Sequence, residues 1–318
     1  MSGPLKIDIH MHLYESKASG EWWKAGYDIF EYGEKADVIF GSFSGDVDDA
    51  VTAMEEAGYT HGIAVNLFSI DLFRAEAIAM LPKDVEMDPI RREREIAAIE
   101  EGLPARMQAL NRWLLDAVAS VPQITPYVAV DPWALSPEQN VAHLREAAEL
   151  GARGIKIHPV VQRFTPNDPR MHPVYEACVE MGLVMLSHTG ADKEGAGFAE
   201  PRSFSEVLGA FPDLSVVLAH VGGGRWRQTV ELAKAFPSVA FDLSEIIEWT
   251  GAPNAPTADE LARMVAEIGP ERLMLGTDFP WYDMDHSAQL VMDLPALSEG
   301  QKEAILGENA ARILHLPV

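Results

Sequence analysis

Short apolar runs alternate with longer amphipathic stretches along almost the whole chain. Eight runs stand out: Ile7–His12, Gly62–Asn66, Ile124–Val130, Gly154–Ile157, Leu183–His188, Ser215–His220, Val239–Leu243 and Leu273–Asp278. Most are rich in Val, Ile and Leu and lack strict apolar–polar alternation, the pattern of parallel strands buried on both faces. The stretches between them carry helix ends. Asp46 is placed to cap Val47–Ala57, with Gly58 as its stop. Thr257-Ala258-Asp259-Glu260 reads as a capping box opening Leu261–Ile268, which Gly269-Pro270 closes. Eight βα units with no linker or break in composition predict a (β/α)8 TIM barrel, one domain over residues 1–318. A doubly wound open sheet is the rival. It would carry a glycine-rich phosphate loop after its first strand, where this chain has His-x-His and aromatics.

Two connections are long. Residues 14–45, after the first strand, hold Trp22, Trp23, Tyr27, Phe30, Tyr32, Phe40 and Phe43. In a barrel this loop borders the active-site mouth, so its aromatics either form a lid or pack the loop against the barrel or a second subunit. Residues 67–120, after the second strand, form a charged helical insertion whose Arg91-Arg92-Glu93-Arg94-Glu95 run reads as a solvated helix face.

Composition narrows the function classes. With 49 acidic against 25 basic side chains the formal charge is −24, which argues against nucleic acid and an anionic membrane surface. No apolar run reaches the length of a transmembrane helix. Met1-Ser2-Gly3-Pro4-Leu5-Lys6 leads into the first strand without an apolar signal segment, and the lone Cys178 fits a buried helix position. These features together give an expectation of a cytoplasmic protein.

The chemistry gathers at strand ends. On a strand, His10 and His12 emerge on one face, and Asp8 shares it one layer deeper. His188, His220 and Asp278 each close a later apolar strand. A barrel brings all five to one mouth, where neutral imidazoles and a carboxylate are the donor set for zinc or another first-row divalent ion. Lys156 and His158 share a face of the fourth strand and are candidates to hold a substrate anion, Lys156 alternatively pairing with Asp8. Arg225, and with less weight Arg227, could clamp a substrate carboxylate.

These segments resemble the amidohydrolase superfamily, in the branch of aminocarboxymuconate-semialdehyde decarboxylase, related aromatic-acid decarboxylases and several lactonases. The resemblance rests on Ile7-Asp8-Ile9-His10-Met11-His12, Gly154-Ile155-Lys156-Ile157-His158-Pro159, Ser187-His188-Thr189-Gly190, Ala219-His220-Val221-Gly222-Gly223, Gly276-Thr277-Asp278-Phe279-Pro280 and Gly307-Glu308-Asn309-Ala310-Ala311-Arg312-Ile313-Leu314, in the family's order. It implies that His10, His12, His188 and Asp278 hold one divalent ion, zinc first and manganese as the alternative. It makes His220 the catalytic acid/base, with Asp278 either ligand or proton-sharing base. A binuclear site bridged by a carboxylated Lys156 is the less favoured variant.

Metal-activated water acting on a lactone, amide or other acyl bond of a small carboxylate-bearing molecule is the leading reaction. The alternative is non-oxidative decarboxylation of an aromatic or enolic acid, followed by a hydratase or a non-catalytic binding barrel. A nicotinamide enzyme lacks its fingerprint. Relatives in this branch also suggest a homodimer, with the 67–120 insertion as a contact.

Overall fold

A computed structural model of the chain describes residues 4–26, 30–83 and 87–316; Tyr27 lies outside them. Eight parallel strands pair in sequence order: β1 Ile7–His12, β2 His61–Val65, β3 Ile124–Ala129, β4 Gly154–Ile157, β5 Val184–Ser187, β6 Val216–Leu218, β7 Ala240–Asp242 and β8 Leu273–Met274. The ring closes where Ile9 N donates to Leu275 O (3.0 Å) and Met11 bridges to Phe279. Strands buried on both faces explain the unbroken apolar runs. Inward-facing Ile63, Val65, Tyr127, Leu186, Val217 and Met274 fill the barrel, while Met11, Ala64, Ile155 and Met185 belong to the layer against the helices. The fold is therefore a single (β/α)8 barrel.

The last strands are shorter than the apolar runs suggest, because the chain turns before the run ends. After β8, the segment to Asp278 continues as irregular backbone, and Asp278 itself takes φ +57°. His220 (φ +61°) and Glu245 (φ +62°) also lie in the left-handed region, just past β6 and β7. Such conformations are costly for residues with a Cβ and gather where side chains must be aimed.

The 14–45 connection contains a helix, α1 Lys17–Ala25, capped by Ser16 and not marked in the apolar pattern. The next helix, α2 Val47–Ala57, has Asp46 accepting from Asp49 N and Gly58 at φ +73°, as its sequence signals require. Residues 67–120 hold α3 Ile70–Ala79 and the 30-residue α4 Pro89–Val118. Asn111 on α4 accepts from Ala129 N (2.8 Å) and donates to Ala129 O (2.7 Å), tying the helix to the end of β3. The Arg/Glu run of α4 faces outward. Farther along, Thr257 and Glu260 form the expected capping box on Ala258–Ile268. Among the described residues, no helix is long and apolar enough to cross a membrane.

Candidate active site

The first strand does not run with a uniform period of two. Its register against β2 slips by one residue between Asp8 and Met11: Ile7 pairs with His61, but His12 pairs with Val65. A bulge of this kind re-aims side chains, so Ile7 and Ile9 face the barrel interior below it and His10 and His12 face it above. Asp8 therefore does not share the face of His10. Its Oδ1 accepts from His10 N (2.9 Å) and Thr277 N (3.0 Å), and Oδ2 accepts from Thr277 Oγ1. This carboxyl fastens β1 to the loop after β8 and does not pair with Lys156; burial pushes its pKa up to about 7.

Asp278 receives the two histidines. Its Oδ1 lies 3.4 Å from His10 Nε2 and 3.2 Å from His12 Nε2, and donor atoms of these three buried residues fall within 4.8 Å of one another. Burial opposes charge on Asp278, but His10, His12 and His220 around it outweigh burial and hold the carboxyl well below its ordinary range. Burial, reinforced by nearby Lys156, lowers His10 to about 3; burial lowers His12 as well, and both shifts favour the neutral imidazole that a ligand requires.

Behind His10 stands Asp242 at the end of β7. Its Oδ2 is 3.2 Å from His10 Nδ1, and its Oδ1 accepts from His220 N (3.0 Å), Ser244 N (3.0 Å) and Ser244 Oγ (2.5 Å). A carboxylate on Nδ1–H fixes the tautomer that leaves Nε2 with its lone pair toward the site. His220 is held through Nδ1, which lies 3.1 Å from Ser244 O and 3.0 Å from Ser244 Oγ. Burial would lower the pKa of His220, but Glu245, Asp242 and Asp278 outweigh it and raise it, unlike its neighbours. Two imidazoles that favour the neutral form, His10 and His12, thus stand beside one suited to carry a proton, His220.

Lys156 occupies the centre. Its Nζ is 2.6 Å from His10 Nε2, and burial, against the pull of Asp278, Asp242 and Glu245, lowers it to about 8. His158 stacks on His188 with ring centres 3.7 Å apart, and the His188 ring is 4.9 Å from that of His220. His188 lines the same cavity but is outside the compact trios, its Nε2 lying 4.0 Å from Glu31 Oε1. The donor set fits a divalent ion: His10, His12 and Asp278 converge with the right protonation, and His220–Glu245–Asp278 forms an adjoining trio. His10 Nε2 has a single lone pair, so an ion bound there would displace the Lys156 contact.

Glu31 is a site residue that sequence reasoning missed. It reaches in from the 14–45 connection, and its Oε2 accepts from Ala191 N (2.9 Å) and Gly224 N (2.7 Å). A Cβ on Gly190 would stand 2.6 Å from Glu31 Oε1, and one on Gly223 2.7 Å from Oε2, so these glycines make its seat. Nothing in its local sequence announces this. Asp242, by contrast, left a signal: a lone acid inside an apolar strand, Val239-Ala240-Phe241-Asp242-Leu243. Arg225 lies off the cavity, its Nε bound to Glu200 Oε1 at 2.9 Å, and Arg227 covers the Trp226 ring at 4.1 Å.

Above these groups opens a cavity of about 390 Å³, the size of a small organic ligand. The aromatics of the 14–45 connection divide into two groups. Trp22, Trp23 and Phe30 line the cavity, whereas Tyr32 stacks on Trp249, Phe40 on Tyr282, and Phe43 packs near Phe279.

Comparison with known proteins places this arrangement. The amidohydrolase family model Amidohydro_2 matches residues 7–316. The chain belongs to the amidohydrolase family. A 2-amino-3-carboxymuconate-6-semialdehyde decarboxylase of Dictyostelium discoideum is 27% identical over 209 residues, a match spanning 56% of this amidohydrolase and 58% of that relative. The 5-carboxyvanillate decarboxylase of Sphingomonas paucimobilis superposes with a TM-score of 0.62 at 17% identity, covering 99% of this chain and 100% of that one. A dihydroxybenzoic acid decarboxylase of Polaromonas sp. JS666, solved with bound manganese and 2-nitroresorcinol, gives a TM-score of 0.65 at 16% identity, covering 99% and 98%. At these identities the two structures speak for the fold. The curated relative is named a decarboxylase, whereas the sequence reading put hydrolysis first.

Proposed function

We propose that this amidohydrolase is a metal-dependent, non-oxidative decarboxylase of a small aromatic or enolic acid. One observation carries the reading: His220, tethered through Nδ1 to Ser244, borders an aromatic-walled cavity beside the convergent His10, His12 and Asp278. The names of its relatives support the same chemistry.

A divalent ion, zinc or manganese, would be held by His10, His12 and Asp278 with His188 nearby, and would supply positive charge for a substrate carboxylate and an adjacent oxygen. The protein's own groups do the rest. Tyr14, Trp23 and Trp281 flank the planar substrate, and Asp242 keeps His10 aligned. His220 donates its proton to the carbon bearing the carboxylate. The carbon–carboxylate bond then breaks, its electron pair restores the ring or enol, and carbon dioxide leaves. His220 regains a proton from solvent. Lys156 stays a cationic neighbour to the carboxylate.

The test is to incubate manganese- or zinc-loaded protein with hydroxybenzoates in D2O and to follow the products by proton NMR. Decarboxylation installs deuterium at the carbon that lost the carboxylate, and His220→Asn abolishes it. Turnover of lactones or amides without any release of carbon dioxide would overturn the proposal in favour of hydrolysis.

A further inference from the structure

The outer wall of the cavity carries charges that the reacting groups do not use. Glu15 lies three residues beyond His12. Arg106, on α4, grips it with both terminal nitrogens, Nη1 to Oε1 at 3.1 Å and Nη2 to Oε2. The guanidinium carbon stands 5.4 Å from the centre of the Phe73 ring. Glu76, on α3, lines the cavity together with the pair; burial raises its pKa, Arg106 lowers it and Glu15 raises it again. Aromatic rings continue the wall, with Tyr14 stacked on Trp23 at 6.3 Å and Trp22 edge-on to Trp23 at 5.2 Å.

Charge around the cavity as a whole is lopsided. Among the described lining residues there are five carboxylates, Glu15, Glu31, Glu76, Glu245 and Asp278, against two cations, Lys156 and Arg106. Lys156 is engaged with His10, and Arg106 is committed bidentately to Glu15 with Glu76 beside it. A ligand whose single carboxylate goes toward Lys156 meets aromatic faces with the rest of its body. One bearing a second, distal carboxylate must either take Arg106 from Glu15 or stand against Glu76, and both disfavour it.

We propose that Glu15, Arg106 and Glu76 make the cavity select aromatic monocarboxylates and reject dicarboxylates. This deepens the decarboxylase reading and rests on it for the reaction, but selection itself is a binding property. The matched probes are 2-hydroxybenzoate and 2-hydroxyterephthalate, which differ by one distal carboxylate. Their dissociation constants are measured by calorimetry on manganese-loaded wild type and Glu76→Gln, and carbon dioxide release is followed in parallel. The monocarboxylate is expected to bind at least about tenfold more tightly to wild type. In Glu76→Gln the gap shrinks severalfold, while monocarboxylate affinity stays within about twofold. Should the variant misfold, the wild-type comparison decides alone.

Equal or tighter binding of the dicarboxylate, lost in Arg106→Ala, would overturn the inference and make Arg106 a carboxylate receptor. Failure of both probes to bind would overturn it too. The expected binding preference without carbon dioxide from any hydroxybenzoate would sustain the selectivity and defeat only the decarboxylase reading.

Discussion

Replacing Asp242 with Asn tests whether the ion-binding geometry is held from behind. The carboxylate is fully buried and accepts four hydrogen bonds, one from His10 Nδ1 at 3.2 Å and three, from His220 N, Ser244 N and Ser244 Oγ, at 3.0, 3.0 and 2.5 Å. An amide has one oxygen for these four donors. Turned so that its oxygen keeps the three bonds on the β7 side, it presents N–H to His10 Nδ1. His10 must then move its proton to Nε2, the atom that points at Asp278, and that atom can no longer ligate. Turned the other way, it opposes two buried backbone N–H groups, which is the costlier arrangement.

The first arrangement should prevail, so the loss appears in metal affinity more than in folding. Removing such a supporting partner weakens metal binding by about 10- to 100-fold, about 1.4–2.8 kcal/mol. Competition with a chromophoric chelator measures zinc or manganese affinity directly, and thermal melting of the metal-free protein controls for folding. An affinity within about threefold of wild type would refute the claim that Asp242 sets the His10 tautomer.

Two further outcomes follow from the packing. Burial raises the Cys178 thiol from 9.0 to about 12, so at pH 8 its thiolate is about a thousandfold scarcer than the ordinary value gives. Native protein should react with a thiol-specific disulfide reagent only as fast as it opens, and rapidly in denaturant; fast native labelling would show the site to be accessible. Gly154 has no room for a side chain, since a Cβ there would stand 2.5 Å from Val184 O and 2.6 Å from the Tyr127 ring. Gly154→Ala should therefore lower stability by about 1–3 kcal/mol, read from denaturant unfolding, and an unchanged midpoint would contradict the packing of Tyr127 in the barrel.

Strand periodicity and strand-end residues carried most of the architecture, because a barrel buries both faces of each strand and converts every C-terminal end into the same mouth. That is why His10, His12, His220 and Asp278 could be grouped from positions far apart in the chain. The bulge in β1 was not legible. It depends on how β1 meets β2, and parity along one strand put Asp8 on the wrong side. The shortened β8 was hidden for a related reason, since its apolar run continues into backbone that turns with Asp278 at φ +57°.

Glu31 escaped notice because its role is created by partners more than 150 residues away, the backbone N–H groups of Ala191 and Gly224. Arg225 looked suited to an anion from its place after three glycines, yet Glu200 was there to take it. Long-range pairing of charges is the part of a site that sequence order does not encode.

His10, His12 and Asp278 are the groups that would hold a divalent ion at this mouth. The most direct measurement is metal content per chain by elemental mass spectrometry, after loading with zinc or manganese and removing excess, for wild type and His10→Ala. About one ion per wild-type chain is expected, lost in the variant. A wild-type chain that retains no ion, or a variant that retains it undiminished, would contradict this assignment.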